Sequence, residues 1–257
     1  MYDKTRRIKF LSNIAFIVVI MALCFAYLRI NPRQLLMVTP LFTRYLFENF
    51  LPPAMGNIAV YAQTALQTVA FAVVGTYISA ILSFGFGILM AESITPYPVV
   101  RVAVRFLMTF VRTIPVVIWA SLMILIFGLG SMVGLVALIL ATTGFLSRSY
   151  AESINEIAEK KLEPLRASGV NTPALILHGL LPEFAPAWTH WTLFTFEINI
   201  RASAILGMVG AGGMGVVIRT HLNLRNFNEV TTLVLILVAM VLLTEFVSGA
   251  IRKRLFQ

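Results

Sequence analysis

Long apolar stretches alternate with short polar segments along the whole chain. Their apolar positions run continuously instead of alternating with a period of two, so they predict helices and not the strands of a barrel. A helix is also the element that satisfies its own backbone hydrogen bonds in lipid. The pattern therefore predicts an all-α integral membrane protein with about six transmembrane helices, near residues 10–30, 64–90, 111–128, 132–146, 184–206 and 230–250.

The third apolar stretch, residues 99–129, is too long for a single crossing. As one helix it would measure about 46 Å, against roughly 30 Å of hydrocarbon in a bilayer. Arg101, Arg105 and Arg112 lie in its first half. We therefore expect residues 99–110 to lie on the membrane surface and the span to begin near residue 111.

The composition supports a membrane protein. Hydrophobic residues make up 59% of the chain and charged residues 12%, whereas soluble proteins carry about 25% charged residues. The net charge of +9 would suggest nucleic acid for a soluble protein. Here the basic residues flank the apolar stretches, so we read them as topology signals and lipid-headgroup contacts, with no nucleic-acid partner.

The distribution of basic residues predicts the orientation. With the N-terminus in the cytoplasm, thirteen Lys and Arg residues fall on the inside and five on the outside. This asymmetry predicts that both termini are cytoplasmic and that the number of spans is even. Residues 1–60 then form an N-terminal anchor helix with an external connection, and residues 61–250 form the transmembrane core.

Residues 147–182 form the longest predicted cytoplasmic segment. Glu163-Pro164 is typical of a helix start and Gly169 of a helix end, so a short helix is expected between them. Thr172-Pro173 is expected to cap and begin another helix that runs to Leu181-Pro182. This order predicts a rigid projection below the membrane; an ordinary helical hairpin loop is the alternative.

Two motifs in this region resemble a known family. Residues 163–169, Glu-Pro-Leu-Arg-Ala-Ser-Gly, followed by Leu-Leu-Pro at 180–182, resemble the "EAA" motif of ABC importer permeases, although Pro164 and Leu165 stand where two small residues are usual. In that family the motif docks into a groove on the ATPase subunit. The resemblance therefore implies an ATPase-coupling site at Glu163, Arg166, Ala167 and Gly169.

Further matches indicate which members of this family the chain resembles most. Residues 201–215, with the sequence Arg-Ala-Ser-Ala-Ile-Leu-Gly-Met-Val-Gly-Ala-Gly-Gly-Met-Gly, look like the segment after the fifth core span of phosphonate and methionine permeases. The segment Arg112-Thr-Ile-Pro115 and several later matches are similar to the phosphonate permeases, whose relatives include phosphite importers. The resemblance covers about residues 60–250 and implies a type I ABC importer permease fold with a cytoplasmic coupling helix.

The resemblance also implies partners and a location. A second permease subunit, identical or paralogous, would share the translocation path, and an ABC ATPase dimer and an extracytoplasmic substrate-binding protein would complete an importer in the bacterial inner membrane. The sequence contains no phosphate-binding Gly-Lys-Ser/Thr loop. We therefore expect this chain to be non-catalytic and to bind no cofactor, with ATP and Mg²⁺ on the ATPase.

Ionisable residues occur within or beside the predicted spans, where each costs roughly 2.5–3.5 kcal/mol on insertion scales. Glu197 and Arg201 are four residues apart and could pair on one helix face. They could lock helix packing, or they could line a polar path for an anion. The residues assigned to such a path are Arg112, Glu197, Arg201 and Ser203.

Glycines crowd the end of the fifth span. No strand precedes them, so they are not a nucleotide-binding fingerprint. Glycine-rich backbone at membrane depth either packs helices closely or unwinds beside a cavity. A helix break that forms part of the outer gate and plain close packing are therefore both open for Gly207, Gly210, Gly212 and Gly213.

A stand-alone secondary transporter or channel for small anions is the alternative function. Such proteins need no coupling projection and often contain internal repeats, which this sequence does not show. An intramembrane enzyme is not supported, because no nucleophile–base pair is visible and the three histidines are scattered.

The predicted orientation can be tested by cysteine labelling in intact cells. After Cys24→Ala, a membrane-impermeant thiol reagent should label Asn226→Cys, in a predicted outer loop, and should leave Ser153→Cys and Asn171→Cys unlabelled until the cells are opened. Labelling of either inner position in intact cells would overturn the orientation.

Overall fold

The computed structural model describes residues 2–29, 31–162, 164–165 and 169–255, and the regular structure in these ranges is helical. The chain divides into two compact units, Met1–Leu51 and Pro52–Gln257. The first contains α1 (Tyr2–Tyr27) and α2 (Pro32–Phe50). The second contains α3 (Ile58–Met90), α4 (Pro98–Thr113), α5 (Val116–Phe127), α6 (Ser131–Ile157), α7 (Leu181–Leu206), α8 (Met214–Asn223) and α9 (Phe227–Leu255).

Five helical stretches in the described residues are long and apolar enough to cross a membrane. The bent pair α4–α5 raises the number to six if it forms one crossing. This agrees with the expected fold class of about six helices. Helix α2, by contrast, occupies a segment expected to be a polar connection and contains Pro40 in its interior.

The bend between α4 and α5 lies later in the chain than expected. The two helices meet at 91° across Ile114 and Pro115, so the division expected at residues 110–111 is wrong. A proline disfavours helical backbone in the residue before it, and Ile114 is accordingly extended, with φ −82° and ψ 121°. Because α5 has 12 residues and rises about 18 Å, it is too short to cross alone.

Two further boundaries differ from the sequence-based expectation. Helix α6 does not end near residue 146 but continues to Ile157, and a π-helical turn extends it over Ala158–Leu162. The next helical stretch begins at Thr172 and passes Pro182 without ending. A proline inside a helix lacks an N–H donor and crowds the preceding turn. The wider π-helical turn over Leu175–Leu180, which directly precedes α7, accommodates Pro182.

Helices α3 and α6 pack along a row of small residues. Gly75, Ser79, Ser83 and Gly87 recur every four residues on the buried face of α3. A Cβ atom added to Gly75 would lie 2.6 Å from Leu138 Cδ2, and one on Gly87 3.0 Å from Tyr150 Cβ. The two serine hydroxyls donate to α6, to the carbonyl oxygens of Ile139 and Thr143, each at 3.2 Å.

A buried polar cluster joins the same two helices to α7. The Asn199 amide nitrogen donates to Thr76 Oγ1 at 2.8 Å, and Thr142 Oγ1 donates to Asn199 Oδ1 at 3.1 Å. Each helix contributes one side chain, and all three residues are buried. Inside the fold this cluster determines which faces of α3, α6 and α7 meet, because an unpaired amide there would be costly.

Gly144 permits the crossing of α4 and α6. A Cβ atom there would lie 2.9 Å from the Arg112 backbone nitrogen and 3.1 Å from the Met108 carbonyl oxygen. We expect Gly144→Ala to destabilise the protein by about 1–3 kcal/mol, because the backbone of α4 must move. Thermal unfolding in detergent should show a lowered midpoint. The matched control is Gly85→Ala in α3, where no atom lies within 4 Å; equal midpoints for both variants would refute this account.

Candidate coupling loop and translocation path

The segment between α6 and α7 is anchored by a hydrophobic cluster. Leu162, Leu175 and Leu180 are buried and pack with Tyr150 and Phe184. Close contact is possible because Gly179 has no side chain: a Cβ atom there would lie 2.9 Å from Leu162 Cδ2. Lys161 forms an ion pair with Glu183 across the same junction. The two ends of the loop are therefore held together firmly.

The loop itself presents apolar side chains outward. Leu165, Val170 and Leu177 are exposed, and Gly169 has φ +82°, which a side chain rarely adopts. Asn171 and not Thr172 caps the following helix, since its Oδ1 accepts from the Ala174 N–H at 3.0 Å. The other three residues assigned to the coupling site lie outside the described residues: Glu163, Arg166 and Ala167.

A cavity of about 520 Å³ opens beside this anchor, between the end of α6 and the beginning of α7. It combines charged and aromatic walls, and the Trp191 indole N–H donates to Ser153 Oγ there at 3.1 Å. The residues that line it include Glu156, Lys161, Glu183, His190 and Trp191.

The glycine-rich segment after α7 forms a tight hairpin. A π-helical turn covers Gly207–Ala211, and Gly210, Gly212 and Gly213 have φ values of +104°, +87° and +69°. These backbone conformations favour glycine. The chain then reverses so closely that a Cβ atom on Gly215 would overlap the Ala204 carbonyl oxygen. The helix break and the close packing, considered as alternatives, are thus both present.

Hydrogen bonds attach the hairpin to its neighbours. The Met214 N–H donates to Thr68 Oγ1 of α3 at 2.9 Å, and Arg219 Nη1 donates to the Met208 carbonyl oxygen at 2.7 Å. At the far end of α8, His221 Nε2 lies 3.3 Å from the Tyr61 hydroxyl. That hydroxyl donates to Glu229 Oε2 of α9 at 2.6 Å. Helix α8 is therefore tied to α3 directly, and to α9 through the Tyr61 hydroxyl of α3.

The four residues assigned to an anion path have different surroundings. Arg112, in the last turn of α4, and Arg201, on α7, are exposed in the single chain. Ser203 is buried, and its hydroxyl donates to the Asn199 carbonyl oxygen at 2.7 Å. The fourth residue, Glu197, is mostly buried at the side of α7 that meets α9.

Glu197 does not pair with Arg201, as the four-residue spacing suggested. Its Oε1 atom forms an ion pair with Arg252 Nη2 near the end of α9. The two side chains are 14% and 23% exposed, so the pair is largely shielded from solvent. Sequence analysis missed Arg252 because it belongs to the basic run Arg252-Lys253-Arg254 after an apolar stretch, which is the usual mark of a cytoplasmic helix end.

The chain is similar in sequence to bacterial transport permeases. The chain is 30% identical to the phosphite transport system permease protein PtxC of Stutzerimonas stutzeri over 79% of this chain and 74% of that protein. It is 34% identical to the phosphate-import permease protein PhnE of Mycolicibacterium smegmatis over 90% of this chain and 43% of that protein.

Solved structures show the same fold. An inward-facing structure of the MetNI methionine ABC transporter superposes with a TM-score of 0.70 at 22% identity, covering 79% of this chain and 99% of that one. The family model "Binding-protein-dependent transport system inner membrane component" matches residues 83–257, which include α6, α7 and the loop between them. The chain therefore belongs to the family of binding-protein-dependent transport system inner membrane components.

Proposed function

We propose that this chain is the permease subunit of an ATP-driven importer for phosphonate or a related phosphorus oxyanion, such as phosphite or a phosphate ester. The observation that carries the substrate class is the similarity to permeases named for phosphite and phosphate transport. Two arginines exposed on membrane helices, Arg112 and Arg201, are chemically suited to an anion. They would line a path shared with a second permease subunit.

In this proposal ATP and Mg²⁺ bind to a separate ATPase dimer, and an extracytoplasmic binding protein delivers the substrate. The exposed apolar residues of the loop, Leu165, Val170 and Leu177, would dock against the ATPase together with the motif residues. The anchor formed by Leu162, Leu175 and Leu180 supports this role, because a firmly held loop transmits force.

Helix α7 would connect this loop to the outer gate. The helical stretch that begins at Thr172 runs through α7 to the glycine hairpin, so a displacement of the loop is carried along one continuous element. Alternating access requires such an element with two arrangements. The hairpin of Gly207, Gly210, Gly212 and Gly213 would form the gate at its far end.

The proposed function is tested in proteoliposomes. The permease is purified together with its ATPase, and the complex is reconstituted with the binding protein. We expect uptake of phosphite or methylphosphonate only when the binding protein is present and ATP is supplied on the side of the membrane where the ATPase lies. Methionine serves as the unrelated ligand. Uptake that needs no ATP would favour the alternative of a secondary transporter or channel, and uptake of methionine alone would refute the substrate class.

The coupling role predicts a defect confined to the ATPase interaction. Gly169→Val strains a backbone with φ +82°, and Glu163→Lys reverses a charge in the motif. Both variants should insert normally, lose at least about half of the co-purifying ATPase, and lose ligand-stimulated ATP hydrolysis and uptake.

The matched control for these variants is Gly56→Val, at a loop glycine before α3 with no atom within 4 Å of an added Cβ. It should retain the ATPase and transport. Wild-type ATPase retention and uptake in Gly169→Val and Glu163→Lys would remove the reason for assigning a coupling function to the loop.

A further inference from the structure

Arg201 is a single charge in an otherwise apolar stripe on α7. Ile198 and Ile205 of α7, and Met208 in the π-helical turn that follows it, share its exposed face at helical spacing and are 37%, 50% and 38% exposed. Among the described residues, Arg201 has no hydrogen-bond or ion-pair partner. A charge that faced hydrocarbon would be costly, so this face is suited to an aqueous path or to a second subunit beside one.

Glu197 lies one helical turn from Arg201 and would be its natural partner. Side chains four residues apart on a helix are neighbours, with about 5–6 Å between their Cβ atoms. A Glu197–Arg201 pair would cancel the positive charge of the stripe. In the structure Glu197 pairs instead with Arg252, on the side of α7 that meets α9.

We propose that Arg252 sets the anion selectivity of the path by holding Glu197, so that the charge of Arg201 remains available to a passing oxyanion. Arg252 is a positioning residue, because it acts through Glu197 and need not contact the substrate. The inference rests on the proposed function, the import of a phosphorus oxyanion.

The charge balance explains why one residue on α9 would matter. Glu197, Arg201 and Arg252 together carry one net positive charge, and with Arg252 and Glu197 paired that charge resides on Arg201. Without Arg252, the cation nearest to Glu197 on α7 is Arg201. A Glu197–Arg201 pair carries no net charge. Inside a membrane protein such a change is poorly screened, so it alters the local potential strongly.

Transport measurements separate this role from simple packing. Arg252→Gln should lower oxyanion uptake at least about fivefold, and the double variant Glu197→Gln/Arg252→Gln should recover to within about twofold of wild type, since it removes both charges and frees Arg201. Lys253→Gln is the matched control: it removes one exposed positive charge at the same helix end and should transport normally. Uptake is expressed per assembled complex, because a broken ion pair can also lower the amount of folded protein. If the pair only locks α7 to α9, uptake per assembled complex will stay at the wild-type value in Arg252→Gln, which would overturn the proposal.

A chemical probe tests the arrangement without any assumption about the substrate. In a Cys24→Ala background, Ile205→Cys places a thiol one turn beyond Arg201. The ratio of its reaction rates with anionic and cationic methanethiosulfonates, measured in the assembled complex, reports the local potential. Arg201→Gln and Arg252→Gln should each lower this ratio roughly fivefold, and Glu197→Gln/Arg252→Gln should restore it.

Uptake and the reaction-rate ratio test different claims. If the wild-type complex imports no phosphorus oxyanion, the proposed function is refuted, whereas the reaction-rate ratio still tests the charge arrangement. An unchanged ratio in Arg252→Gln, or in Arg201→Gln, would overturn the inference about Arg252 even in a protein that imports phosphite.

Discussion

Close packing of neighbouring helices against glycine backbones, where a side chain is absent, underlies this fold. Lipid gives helices little hydrophobic reason to associate, so membrane helices depend on tight packing and interhelical hydrogen bonds. Here Gly75 and Gly87 bring α3 against α6, Gly144 brings α4 against α6, and Gly215 brings the hairpin against the end of α7. The hydroxyls of Ser79 and Ser83 between these two glycines of α3 then reach backbone carbonyls of α6.

These contacts make α6 the centre of the second unit and leave α7 as its connecting element. The Thr76–Asn199–Thr142 cluster fixes the rotation of α7 against α3 and α6. With that rotation set, Glu197 points towards α9 and Arg201 lies on the exposed face. One polar cluster in the interior thereby decides which charge is paired and which stays available.

The same helix links the two regions to which function is assigned. Its beginning is anchored to the end of α6 by Leu162, Leu175 and Leu180, and its end passes into the glycine hairpin. The π-helical turn before Pro182 keeps this connection continuous where a proline would otherwise interrupt it. A rigid element between a docking loop and a gate is the mechanical requirement of an importer in which ATP hydrolysis and substrate access occur on different subunits.

The sequence by itself determined the fold class, the approximate spans and the family, because long apolar runs, basic flanks and local motifs are properties of neighbouring residues. It also identified the glycines, whose positive φ values the hairpin requires. The tertiary structure alone decided the partner of Glu197, since Arg252 is 55 residues away in the sequence and local spacing favoured Arg201. It likewise decided the bend at Pro115 and the passage through Pro182: a proline weakens a helix locally, but packing and a π-helical turn determine whether the chain bends or continues.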